Sequence, residues 1–365
     1  MARHLIKFRW KIISISLFFF LLGNLVSLFF IPINQKCYVK TDEVTQKVIN
    51  LAPQSPNLVI LILSAPNNIL KRNSIRNSWL NLIKNIRKDQ EHVLIKYYFV
   101  IGHLNLPKID IKGIQNENNI YNDVLNLPIQ DSYGNLTLKL ITSFEWLFKD
   151  SNIDFKYVLK CDDDSFVRID HLIHELIHLE VIYLKSSIDD VRKINEHTAP
   201  YISVNIQSNN VSSHGNRELY WGYMNGAATV FKKGKWKEPS WISCDHYLPY
   251  ALGGGYLISK EMVGFISRSK YYLRYYHSED VSVGAWLASV NNIVRIHDRR
   301  FDTEYVSRGC QNYYLIRHNV SPDEMMEMYK NLKEKRQLCT KEQRNVKEYL
   351  YDWSVAPTKC CNRVL

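Results

Sequence analysis

The chain has 365 residues, a formal net charge of +11 and seven cysteines. Four of those positive charges, Arg3, Lys7, Arg9 and Lys11, stand ahead of an uncharged run, so only +7 belongs to the residues after it. No C-x-x-C pair occurs, which argues against a zinc ribbon.

The uncharged run, Ile12–Ile31, is interrupted only by Ser14, Ser16, Gly23, Asn24 and Ser27. At about 1.5 Å per residue it spans about 30 Å, the thickness of a bilayer core. A small-residue cleavage site is not evident, and the basic flank keeps residues 1–11 cytosolic. The reading is a type II signal anchor with everything beyond it lumenal. Nucleic acid is then a poor partner for the basic surface, and an anionic nucleotide-sugar or an acidic glycoprotein a better one. The oxidising lumen predicts some disulfides among Cys161, Cys244, Cys310, Cys339, Cys360 and Cys361, with at least one of the seven thiols free or intermolecular. Asn135, Asn210 and Asn319 open glycosylation sequons.

Residues 32–56 are polar, contain Pro32, Pro53 and Pro56, and read as a stem. One lumenal domain is expected over 57–365. Asn57–Leu63 (N-L-V-I-L-I-L) has the pattern of a strand buried on both faces. R-N-S-I-R-N-S-W follows, with Arg72 and Arg76 sharing one helical face; two guanidiniums near a strand end can grip a diphosphate or remain surface charges. Strands are expected at Val93–Ile101 and Asp123–Leu127. An amphipathic helix with Leu136, Leu140, Ile141, Phe144, Leu147 and Phe148 on its apolar side follows D-S-Y-G-N-L-T-L-K. The next strand is Tyr157–Lys160, and Asp170 is expected to cap a helix reaching about Tyr183. Strands alternating with helices predict a mostly parallel α/β sheet. Residues 185–218 read as a surface insertion. Three glycines between Tyr250 and Tyr256 permit close backbone approach, with aromatic faces available for a sugar ring.

Two acidic sites carry the chemistry. Asp162, Asp163 and Asp164 follow the Tyr157 strand directly. Neighbouring carboxylates at ~4 Å repel by about 1 kcal/mol in water, so a cation is expected there, and oxygen ligands suit Mg²⁺ or Mn²⁺. A solvated acidic turn is the plain alternative. On this view Asp164→Ala relieves repulsion and raises stability in the absence of metal. Further on, H-S-E-D-V-S-V-G places Glu279 and Asp280 at a helix start, where a carboxylate is either a cap or a general base.

Taken together, R-N-S-I-R-N-S-W, F-V-I-G, D-S-Y-G-N-L-T-L-K, K-C-D-D-D-S-F-V, Y-A-L-G-G-G-Y-L-I-S and E-D-V-S-V-G resemble, in order, the signatures of the inverting β1,3-glycosyltransferase family of galactosyl- and N-acetylglucosaminyltransferases. Two C-terminal segments, H-D-R-R-F-D-T-E-Y-V-S-R-G-C-Q-N-Y-Y-L and V-K-E-Y-L-Y-D-W-S-V-A-P-T-K-C-C, resemble the branch that adds the second galactose of the proteoglycan linkage region. The 185–218 insertion and Cys161 depart from the family pattern. The resemblance implies a GT-A-like fold in the Golgi membrane, a UDP-galactose donor, a β-galactosyl-xylose acceptor and Mn²⁺. It implies Asp162, Asp164 and His318 as metal ligands, with His297 as the rival imidazole, and leaves Asn319 unglycosylated beside that site. Arg72, Arg76, Asp131, Lys139, Asp162 and Asp163 line the donor site, Asp280 is the base, and Glu279 supports or replaces it. Another β1,3 transfer, of galactose or N-acetylglucosamine onto N- or O-glycans, and an inactive glycan-binding scaffold are the competing readings.

Overall fold

The computed structural model describes residues 57–89, 93–185, 200–206 and 217–364. The expected signal anchor, the stem, Cys37, sequon Asn210 and most of the expected insertion lie outside the described residues.

The chain begins β1 (Leu58–Leu63), α1 (Ile69–Asn77), α2 (Ile83–Asp89), β2 (Ile95–Gly102), α3 (Lys108–Tyr121), β3 (Val124–Leu127) and α4 (Leu136–Glu145). It continues through β4 (Tyr157–Asp162), β5 (Phe166–Val167), α5 (Ile169–Leu179), β6 (Ile202–Ile206), β7 (Glu218–Asn225), β8 (Tyr250–Ser259), α6 (Lys260–Ser269) and α7 (Glu279–Leu287). The last elements are β9 (Ile293–Asp298), β10 (Phe301–Asp302), β11 (Gly309–Cys310), β12 (Ile316–Arg317), α8 (Pro322–Lys335) and β13 (Gln343–Arg344).

Eight strands form one sheet in the order β3-β2-β1-β4-β8-β7-β9-β6. Its N-terminal half is parallel, as is the β7–β9 pair. β8 runs antiparallel to both β4 and β7, and β6 to β9. The sheet is therefore mixed, with parallel pairs the more numerous, as expected. β6 falls inside the expected insertion: I-S-V-N-I alternates over too few residues to stand out, yet it closes the sheet edge.

All six residues of β1 are buried, because strands flank it and helices cover both faces. Side-chain alternation divides them. Leu58, Ile60 and Ile62 join Trp79, Leu172 and Leu176 in one core, while Val59, Leu61 and Leu63 join Leu140, Phe144 and Val263 in the other. Each such burial contributes about 1.5–3 kcal/mol. α5 starts one residue before the expected cap. Arg168 holds the N-cap position, Ile169 is drawn fully into the core, and Asp170 sits in the first turn accepting from Arg168.

A second sheet, β10-β12-β5, packs beside the end of β4. Disulfides join Cys310 to Cys339 and Cys360 to its neighbour Cys361, whereas Cys161 and Cys244 are free thiols.

Candidate active site

The carboxyl ends of β1 and β4 lie side by side, Leu63 opposite Asp162. β8 runs along the other flank of β4, with Gly255 opposite Cys161. In open α/β sheets such strand ends hold the ligands, and here they gather all three aspartates. Asp163 turns inward, accepting from Ser64 Oγ (2.8 Å), Asn68 Nδ2 (2.8 Å) and Lys71 Nζ (3.2 Å). Asp162 and Asp164 remain more open and meet His318, which the β5–β12 pairing delivers. His318 Nε2 stands 3.2 Å from Asp164 Oδ1 and 3.6 Å from Asp162 Oδ2. One ligand atom from each residue fits within a 4.8 Å span.

Asp164 Oδ1 is buried without a hydrogen-bond partner, which a divalent cation at this trio would supply. Two carboxylates and an imidazole suit an ion such as Mn²⁺ or Zn²⁺ better than Ca²⁺. Burial works against charge on Asp164, but the adjoining His318 ring and the Lys71 ammonium outweigh it, holding the carboxyl well below its usual range. His318 is likewise disfavoured by burial and then raised by Asp164 and Asp162.

Glu279 and Asp280 begin α7 on the other side of β8. Glu279 is 5% exposed, and both its oxygens are engaged, Oε1 by the Tyr256 hydroxyl (2.5 Å) and Oε2 by Lys160 (2.7 Å). Burial lifts its pKa to about 7 despite Lys160. Asp280 is half-buried. Its Oδ2 accepts from Gly253 N–H (2.9 Å) and its Oδ1 from Val281 N–H (2.9 Å). Burial raises it above the ordinary aspartate range, against the pull of Lys160 and these amides.

Lys160 joins the two halves. Its ammonium, 2% exposed, donates to Asp162 (2.9 Å), Glu279 (2.7 Å) and the Gly253 carbonyl (2.6 Å). The triple glycine is what permits the arrangement: a Cβ on Gly254 would come within 2.7 Å of the His318 ring, and one on Gly255 within 2.8 Å of Ile316.

A family model described as Galactosyltransferase matches residues 70–299, from α1 to the end of β9. The chain belongs to the galactosyltransferase family. It is a UDP-sugar-dependent glycosyltransferase. "Beta-1,3-galactosyltransferase 6" of Mus musculus is 38% identical over 307 residues, covering 84% of this chain and 82% of that protein. "Beta-1,3-galactosyltransferase 1" of Mus musculus is 27% identical, covering 78% and 76% respectively. "Hydroxyproline O-galactosyltransferase GALT6" of Arabidopsis thaliana is also 27% identical, but the match spans only 36% of that longer protein.

The other expected site residues of this galactosyltransferase divide. Lys139 is buried and donates to Asp131 (2.6 Å) and the Ser64 carbonyl (2.6 Å), bracing the end of β1; Asp131 also accepts from Gly102 N–H. Arg72, 1% exposed, pairs with Glu117 and reaches Ser64 Oγ, so it touches the site only through the serine that binds Asp163. Arg76 spends its nitrogens on Asn73, Glu117 and Asp123. Neither guanidinium is left open for a diphosphate in this arrangement, because buried carboxylates far away in sequence claim them.

His297, the rival imidazole, is fully buried between Met224 N–H and the Tyr349 carbonyl, and burial depresses its pKa to about 4. It is a core residue. Tyr250 and Tyr256 are buried too, so their faces are closed to a sugar. Lys71 and Lys160 are the functional residues that sequence reasoning passed over. Strand alternation already put Lys160 and Asp162 on one face, and Lys71 directly precedes the arginine motif.

Proposed function

We propose that this galactosyltransferase transfers galactose from UDP-galactose, with inversion, to the 3-hydroxyl of a β-galactosyl-xylose acceptor in the glycosaminoglycan–protein linkage region. The observation that carries the reaction type is the pairing of two acidic centres through one buried ammonium: Asp162, Asp164 and His318 on one side of Lys160, Glu279 and Asp280 on the other. The similarity to a mouse protein named for β1,3 galactosyl transfer supports the linkage, and the C-terminal segments quoted above support the acceptor. A GT-A-like fold and a Golgi-lumenal site behind a type II anchor belong to the same reading.

Asp162, Asp164 and His318 would hold Mn²⁺. When bound, the ion supplies Lewis-acid neutralisation of the diphosphate. The chain's own residues do the rest. Asp280, the more exposed of the two α7 carboxylates, takes the proton from the acceptor hydroxyl as that oxygen attacks the anomeric carbon and the bond to UDP breaks. One displacement inverts the configuration, and the two-sided carboxylate logic parallels inverting glycoside hydrolysis. Glu279, bound by Tyr256 and Lys160, positions Lys160 and the helix start rather than taking the proton.

The test is the full chain in detergent, supplied with a panel of UDP-sugars and a β-galactosyl-xyloside, with and without Mn²⁺. Transfer from UDP-galactose alone, metal-dependent and giving a β1,3 linkage by NMR, is expected. Preference for another UDP-sugar or for an N-acetyllactosamine acceptor refutes the specific reading. For topology, protease applied to intact vesicles should remove only a short N-terminal tail; digestion of the large domain refutes the lumenal placement.

A further inference from the structure

Between β7 and β8 runs a loop, F-K-K-G-K-W-K-E, that neither acidic centre uses. It is tightly built. Glu238 N–H returns to the Phe231 carbonyl (2.8 Å), Gly234 takes a positive φ of 83°, and Phe231 N–H donates to the Tyr247 hydroxyl (3.0 Å). It is also fastened to the residues just before the catalytic pair. Buried Glu238 accepts from His277 N–H, and the His277 ring lies 3.1 Å from the Lys235 carbonyl.

The loop displays aromatic surface where a core residue would be covered. Trp236 is half-exposed, with Phe231 at 5.8 Å and Tyr305 edge-on at 4.9 Å between ring centroids. Phe231 is 44% exposed, Tyr305 68% and Tyr133 38%. Tyr133 belongs to the segment leading into α4, and its ring lies 4.2 Å beneath the Lys235 ammonium and 5.7 Å from His277. Three separate chain segments thus contribute to one aromatic surface.

Its position relative to the chemistry is given by its ties to the start of α7: the N–H groups of His277 and Ser278, the two residues before Glu279, both donate to Glu238. Tyr133 lies against the same His277, and the Asp280 charge adds to burial in raising its hydroxyl pKa to about 12. On the other side, Tyr305 follows Asp302 by three residues, and the Asp302 carbonyl accepts from His318 N–H (2.9 Å). The surface borders both acidic centres.

We propose that Trp236, with Tyr133 and Tyr305, forms the subsite that holds the acceptor sugar, stacking against the apolar face of a β-galactopyranoside so that its 3-hydroxyl is presented to Asp280. The chemistry selects this occupant. The axial 4-hydroxyl of galactose leaves C3–H, C4–H and C5–H together on the opposite ring face, and such a face packs on an aromatic ring. The UDP moiety is a poorer occupant, because it belongs with the cation trio. This assignment rests on the transferase reading above and adds which surface the acceptor uses.

The experiment separates binding from chemistry in the full chain. Trp236→Ala is expected to raise the acceptor KM about tenfold for a β-galactosyl-xyloside, with a much smaller change in kcat and an unaltered UDP-galactose Kd by calorimetry. Trp236→Phe should restore most of the loss. Tyr305→Ala, at a residue too exposed to endanger folding, should raise the same KM severalfold. Unchanged KM in both alanine variants, or loss confined to kcat, overturns the subsite. If the wild-type enzyme uses a different acceptor, or none, the acceptor reading fails separately. The surface is then judged by tryptophan fluorescence titrated with methyl β-galactopyranoside: a signal present in wild type and lost in Trp236→Phe supports it, and none in wild type refutes it.

Discussion

Lys160→Met is the most informative single change, because it removes the charge that both acidic centres share. Three acceptors lose their donor: Asp162, Glu279 and the Gly253 carbonyl. Removing one partner of a buried ion pair costs about 3–5 kcal/mol. The cost should depend on pH in a defined direction. Burial already pushes the Glu279 pKa up to about 7 in the folded protein, well above the ordinary glutamate range, and Lys160 acts to lower it. Without Lys160 the folded pKa rises further. A carboxyl raised on folding contributes stability that is present below its unfolded pKa and lost as pH rises through its folded pKa.

Wild type has therefore finished losing this contribution shortly above pH 7, whereas the variant goes on losing it at about 1.4 kcal/mol per pH unit. The Glu279 part of the gap between them should be small near about pH 6 and reach about 2 kcal/mol near about pH 8.5, lowering the Tm by a further ~4–8 °C. Thermal and denaturant melts at the two pH values measure it. Lys160→Met combined with Glu279→Gln should flatten the pH dependence. A gap that does not vary with pH, or that narrows as pH rises, refutes the account of Lys160 as the shared counter-charge.

Asp280→Asn should lower kcat by about 10²–10⁴-fold while leaving UDP-galactose binding intact, and Glu279→Gln should cost less in kcat than in stability; steady-state kinetics beside calorimetry decide, and full turnover by Asp280→Asn eliminates it as base. Asp280 is held above its usual pKa, so kcat/KM should fall on acidification at a higher pH than an ordinary aspartate dictates, and a flat profile would count against it. Asp164→Ala should abolish metal-dependent transfer and, contrary to the expectation from repulsion alone, lower stability without metal. Its depressed pKa means that the folded state favours the charged form through His318 and Lys71, a contribution present above the unfolded pKa and lost as pH falls; a higher Tm in the variant refutes this. Arg76→Ala should destabilise by about 3–5 kcal/mol with donor KM nearly unchanged, and a large rise in donor KM at unchanged Tm would return Arg76 to the donor site.

Much of the site was legible because local chemistry carried it. A continuous apolar run reads as a strand buried on both faces, whatever covers it, and β1 is one. Three carboxylates at the tip of such a strand mark a charge problem that the fold must solve, and Glu279–Asp280 ahead of an apolar helix marks a second. The ordered motifs then gave the family, which the match over 70–299 bears out.

What tertiary structure decided was the pairing of charges across sequence. Arg72 and Arg76 look available until Glu117 and Asp123, more than forty residues on, take them. Asp163 is indistinguishable from its neighbours in sequence, yet Ser64 and Asn68, almost a hundred residues earlier, turn it inward and leave Asp162 and Asp164 for His318. The glycines between Tyr250 and Tyr256 read as room for a sugar; they are room for His318, Ile316 and the α7 carboxylates. A side chain's residue type sets which charge or hydrogen bond it can offer. Which partner it meets is set by strand register and packing, and these exist only once the sheet has formed.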